Sequence, residues 1–208
     1  MKIQGFLEQL LKSQTGGSLL NADFGKGAVA GGALGLLLGK NRKTRKLATY
    51  GGLAAIGVMA YQAYRDHQQQ TAATATEPRT VDRLPPPEAE QHSQAILRAL
   101  IAAAKADGHV DDRERAVIEG EFRRIGDDAE LQRWLQAELQ KPLDPAEVAQ
   151  AGETPEVASE MYLASLMVVD EQNFMERAYL DELARQLKLD ADLKTRLERQ
   201  LAEQAARA

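Results

Sequence analysis

Eighteen consecutive residues, Leu47 to Tyr64, carry no charge, and the basic run Lys40 to Lys46 stands directly before them. A helix needs ~20 apolar residues to cross a ~30 Å hydrocarbon core, so this stretch is expected to span a membrane with little to spare. Tyr50 near one end and Tyr61 and Tyr64 at the other fall where interfacial aromatics are favoured. A second uncharged block, Gly27 to Gly39, lies upstream and is too short to span comfortably, so it is expected to re-enter or to pack. Gly27, Gly31, Gly35 and Gly39 recur at four-residue spacing and share one helical face. Such a face lets a second backbone approach closely, whether another arm of this chain or another copy. In water each interior glycine weakens a helix by ~1 kcal/mol, which favours lipid over a flexible solvated linker. Lys40, Arg42, Lys43, Arg45 and Lys46 suit anionic headgroups at the membrane surface.

Charge divides the rest of the chain from this region. Residues 1–66 hold nine Lys/Arg against three Asp/Glu, net +6, and residues 67–208 hold seventeen against twenty-eight, net −11. An acidic globular region repels nucleic acid, so none is expected as a partner. The chain has no cysteine, which excludes disulfides, thiolate metal sites and cysteine nucleophiles. No cleavable signal peptide is evident at the N-terminus, which leads to the expectation that anything exported stays attached.

Four regions are expected. Residues 1–23 open with Ile3, Phe6, Leu7, Leu10 and Leu11 at helical spacing, an amphipathic segment that lies on a membrane or packs on a partner. Residues 24–64 form the glycine-rich membrane region, with arms 27–39 and 47–64 around the basic run 40–46. Residues 65–87 lack apolar periodicity and end in three prolines, which reads as an extended polar tether. Residues 88–208 read as an all-α domain of about seven helices, because no segment alternates at period two. Its capping signals come in close succession: Asp111, Asp127 or Asp128, Asp144 before Pro145, Thr154 before Pro155, Asn173 and Asp190. Leu131, Trp134, Leu135 and Leu139, with Phe174 and Tyr179, are expected in the core.

The domain repeats itself. Leu100 to Gly108 followed by Glu114 to Ile118 aligns with Leu163 to Glu171 followed by Glu176 to Leu180, one residue shorter in the second loop. Each copy is an apolar helix, an acidic loop and a Glu-Arg-Ala helix start, which implies a pseudo-symmetric bundle. The Asp107 to Glu114 pattern, with its degenerate partner Asp170 to Glu176, resembles the TerB-like (tellurite-resistance protein B) helical domain. The whole layout, including Gly31 to Gly39, the basic run and Tyr50 to Ala55, is similar to the YebE-like inner-membrane proteins, the domain of unknown function 533 family. The resemblance implies a TerB-like fold and an inner-membrane location. It also implies divalent metal, Ca²⁺ or Mg²⁺, at the matching acids Asp107, Glu114, Asp170 and Glu176.

A competing reading needs no metal. Asp111 with Glu114 and Asn173 with Glu176 both fit the capping box, in which the glutamate reaches back to the cap residue. His67 and His92 lie in or near the expected tether and His109 in a loop, so no histidine cluster is visible. No nucleophile motif, phosphate loop or dinucleotide fingerprint is present, so no enzymatic activity and no resident cofactor are expected. The expected function is a membrane-anchored interaction or sensing module of the bacterial envelope, serving stress, with an unidentified protein partner. The alternative is a divalent-metal-binding domain. Basic residues before the Leu47 to Tyr64 span place the acidic domain in the periplasm, and a shallow hairpin would place it in the cytoplasm.

Overall fold

The computed structural model describes residues 2–12, 53–71, 77–106, 119–120, 128–169 and 173–207. Among these the chain is all-helical, with eight helices and no strand: α1 (Ile3–Lys12), α2 (Leu53–Thr71), α3 (Pro86–Ala104), α4 (Ala129–Gln140), α5 (Pro145–Ala149), α6 (Pro155–Val168), α7 (Phe174–Gln186) and α8 (Ala191–Arg207).

The core is built on α3 and α6, which pair more extensively than any other two helices. These are the corresponding helices of the two sequence copies. Ala99, Leu100 and Ala103 on α3 and Met161, Leu163 and Ala164 on α6 are buried. Small residues let the axes close up, and Ser165 Oγ donates to the Ala99 carbonyl at 3.4 Å. Helix α6 is buried all round from Val157 to Val168, as a central helix covered on several sides must be.

The remaining helices cover this pair, and local signals set their ends. Asp128 accepts from the N–H groups of Glu130 and Leu131, Asp144 from Ala146, Thr154 from Val157 and Asn173 from Met175. Pro145 and Pro155 occupy the first helical turn, where a missing N–H costs nothing. Helix α4 leans on α3 through Glu138, whose Oε1 accepts from Arg98 at 3.0 Å and from Lys141 at 2.9 Å. Arg98 also sits 5.9 Å from the ring centroid of Trp134, so that ring packs at the edge of the core and stays partly exposed. Helix α1 docks on α3 through Ile3, Phe6 and Leu7, and Glu90 accepts from the N–H groups of Ile3 and Gln4. A carboxylate there meets the positive end of α1 and two of its orphan donors.

Three expectations differ from the structure, and the first is the membrane span. Among the described residues no helix is long and apolar enough to cross a membrane. The expected span Leu47 to Tyr64 contributes its last twelve residues to α2, which runs on through Arg65 and Asp66 and packs against α6 and α8. Leu53, Ile56, Met59, Ala60 and Ala63 are buried in the bundle. A helix with one apolar face satisfies itself against a protein core as well as in lipid, and here the core takes it. The glycines 27, 31, 35 and 39 and the basic residues 40, 42, 43, 45 and 46 lie outside the described residues.

The expected tether also differs. Residues 65–71 are helical, and Thr80 and Val81 are buried. Gly57 makes this possible, because a Cβ at that position would stand 2.3 Å from Asp82 Oδ1. The prolines open a helix: Pro86 and Pro87 form the first turn of α3. A further difference concerns Phe174, expected inside, which is 72% exposed with Met175 beside it. Both sit in the first turn of α7, just past the Asn173 cap.

Candidate functional site

A cleft of about 780 Å³ opens where α2, the α5–α6 connection and the α7–α8 connection meet. Tyr64, His67 and Gln68 form one wall, Ala149, Gln150 and Thr154 a second, and Lys188, Leu189 and Asp190 a third. Each wall follows from a local rule. His67 and Gln68 come from the polar half of α2, beyond its uncharged turns. Thr154 is the α6 cap, with Oγ1 3.3 Å from the Val157 nitrogen. Asp190 starts α8 and accepts from Asp192 N–H at 2.8 Å.

Lys188 is the unusual member. The end of α7 closes with Leu189 N–H donating to the Ala184 carbonyl at 3.1 Å and Lys188 N–H to Arg185 at 3.1 Å. This closure puts the residue after the helix in the left-handed region, where glycine is favoured. Lys188 occupies it with φ 54°, the one positive-φ non-glycine among the described residues. A non-glycine residue in that region carries backbone strain of about 1 kcal/mol.

His67 Nδ1 lies 3.1 Å from Asp192 Oδ2, and Arg196 Nε donates to the same oxygen at 2.6 Å. Arg196 first, then His67, hold the Asp192 carboxyl below its ordinary range. His67 and the carboxylates of Asp190 and Asp192 have ligand atoms within 4.8 Å of one another, a donor set of the kind divalent metals use. Asp192 is already paired with a guanidinium and Asp190 already serves as a cap, so the arrangement is complete without an ion.

A second polar centre lies inside. Glu160 on α6 is fully buried, with Oε1 accepting from Val81 N–H at 2.6 Å and Oε2 2.6 Å from His92 Nδ1. Burial raises the Glu160 pKa, and the imidazole and the Val81 amide oppose that rise. The pair ties the 77–84 segment to α3 and α6, and through Asp82 against Gly57 it also positions α2. Sequence reasoning placed His67 and His92 in or near a polar tether; their partners stand 125 and 68 residues away, and only the fold joins them.

Of the expected metal residues, Asp107, Glu114 and Asp170 lie outside the described residues. Glu176 is described: its Oε1 accepts from Asn173 Nδ2 at 3.2 Å, while Asn173 Oδ1 takes Met175 N–H at 2.9 Å. This reciprocal pairing follows the logic of a capping box, with the asparagine amide group in place of its backbone N–H.

These features define an all-helical bundle built on two like helices, with a cleft beside α2. The chain belongs to the family described as protein of unknown function, DUF533, which matches residues 23–201. It is also similar to a Yersinia enterocolitica protein named "Uncharacterized protein in ampR 5'region", at 36% identity over 114 residues, covering 55% of this chain and 82% of the relative. No solved structure matches.

Proposed function

We propose that this protein is a non-enzymatic interaction or sensing module of the bacterial cell envelope, a YebE-like protein whose TerB-like bundle is held at the inner membrane and receives a protein partner in the α2 cleft. The observation that carries the reading is Lys188, a residue of the cleft wall that takes the left-handed backbone conformation glycine favours. Three of the other polar groups there already have partners: Thr154 and Asp190 accept from backbone N–H groups as caps, and His67 lies against Asp192. That favours recognition over chemistry, which needs a group poised toward a substrate. Membrane attachment falls to residues upstream of Leu53, where the glycine face and the basic run stand. A stress-linked role and a divalent-ion role for the acidic loops belong to the same proposal as its regulation and its alternative.

Crosslinked membranes carrying wild type and Lys188→Gly test this. The wild type is expected to retain a protein partner that Lys188→Gly loses while folding normally. Equal recovery with both removes the cleft from the account, and recovery of lipid alone removes the partner. An alkaline phosphatase fused after Ala208 reports the side: activity supports a periplasmic bundle, and its absence with a fluorescent cytoplasmic fusion supports the other face.

A further inference from the structure

Helix α1 is ten residues long, and isolated helices below ~12 residues are marginal in water, so its helical form belongs to its docked state. The bundle meets it with two kinds of contact. Ile3, Phe6 and Leu7, three and four residues apart, are buried, which is the anchor pattern of a helix received in a groove. The N–H groups of its first turn, which no residue of α1 can satisfy, are taken by acids remote in sequence. Glu90 on α3 accepts from Ile3 and, at 3.0 Å, from Gln4. At the start of α4 the Asp128 carboxyl is held below its ordinary range first by the Leu131 N–H and, more weakly, by the Lys2 N–H. The helix rests chiefly on α3, with a smaller contact on α2.

We infer that α1 is exchanged between two copies of this chain, each copy seating its N-terminal helix against Glu90 and Asp128 of the other. The occupant is fixed by what the seat already holds: an Ile-x-x-Phe-Leu helix start with its first N–H groups open, a sequence that every copy carries. Forty residues, 13–52, stand between Lys12 and Leu53, so α1 is placed by these contacts and not by a short connection to α2. Closing a connection of that length gives the chain's own α1 only a modest advantage over a neighbour's, and the contacts are the same in either arrangement. Exchange therefore costs no contact, and it joins two chains through two identical seats related by a twofold axis. Each bundle is completed by the other's first helix.

The chain has no cysteine, so single thiols report the exchange directly. Gln4→Cys sits beside Glu90 at the start of α1, and Gln94→Cys lies one turn along α3 from Glu90. Full-length chains carrying one or the other are co-expressed and treated with a flexible bis-maleimide. The expected product is a covalent dimer holding one chain of each kind. It is expected to disappear when Leu7→Asp is added to the Gln4→Cys chain, and to fall several-fold when Glu90→Ala, which leaves the apolar contacts in place, is added to the Gln94→Cys chain. A chain carrying both cysteines is the comparison. If it closes on itself while the mixed chains stay monomeric, α1 is held by its own bundle and the exchange is overturned. A mixed dimer that survives both further substitutions shows collision instead of docking and overturns it as well. No product in either case places α1 away from α3 and overturns the seat itself.

Discussion

Glu160 and His92, 68 residues apart, meet inside the bundle with Oε2 of one 2.6 Å from Nδ1 of the other. The carboxylate is fully buried and also accepts from the Val81 N–H at 2.6 Å, so one side chain fastens both the α3–α6 pair and the segment 77–84 that leads from α2 into α3. Truncating one member of a buried pair leaves the other desolvated and unpaired. Glu160→Ala is expected to cost about 3 kcal/mol in chemical denaturation. A loss within experimental error of zero would show that the pair is not formed.

The same carboxylate gives a pH dependence with a definite sign. Its folded pKa is raised above the ordinary 4.5 by burial, so the folded state holds the proton more tightly than the unfolded state. Its contribution is therefore fully present below the unfolded value and lost as pH rises through the folded value. The stability of wild type relative to Glu160→Gln is expected to be greatest near the acid end and to decline toward neutrality. A difference that grows with pH contradicts this.

Gly57 and Asp82 form a second fastening. A methyl group on residue 57 meets Asp82 Oδ1 at 2.3 Å and its backbone nitrogen at 3.0 Å, so Gly57→Ala is expected to destabilise by about 2 kcal/mol. Removing the side chain it strikes relieves part of the clash. In an Asp82→Ala background the same substitution is expected to cost measurably less, and strict additivity in the double-mutant cycle would place α2 elsewhere.

Lys188 separates stability from binding. Replacing a non-glycine residue in the left-handed region with glycine is expected to raise stability by about 0.5 to 1 kcal/mol, read as a higher midpoint of thermal unfolding. A fall in the midpoint would show that the side chain holds the fold together, and would remove the argument that it is kept for recognition.

Asn173 distinguishes a cap from an ion site. Asn173→Ala is expected to cost about 1 kcal/mol whether or not millimolar Ca²⁺ or Mg²⁺ is present. A midpoint that rises with either ion in wild type and no longer does so in Glu176→Gln would return that residue to the metal reading.

The parts legible in the sequence are those written by near neighbours. Asp128, Thr154 and Asn173 announce their helices because a cap and its N–H donors lie within three residues. Leu131, Leu135 and Leu139 announce an inward face because helical spacing puts them there. The misreadings fall where local pattern admits two environments. An uncharged run such as Leu53 to Tyr64 fits a protein core and a bilayer alike, and only its partners on α6 and α8 decide. Pro85 to Pro87 fit the end of a tether and the first turn of a helix equally, since proline is welcome in both. Phe174 looked like core by type, but its place in the first turn after a cap turns it outward. The cleft and the Glu160 fastening had no local signal, because each joins segments that are remote in sequence.

The docking of α2 into the bundle is the point on which the account turns, and two adjacent positions report it. In lipid-free solution, Val58→Cys is expected to react rapidly with a maleimide, whereas Met59→Cys, at 1% exposure, is expected to react only on unfolding. Equal, rapid labelling at both positions would show that α2 is not part of the bundle.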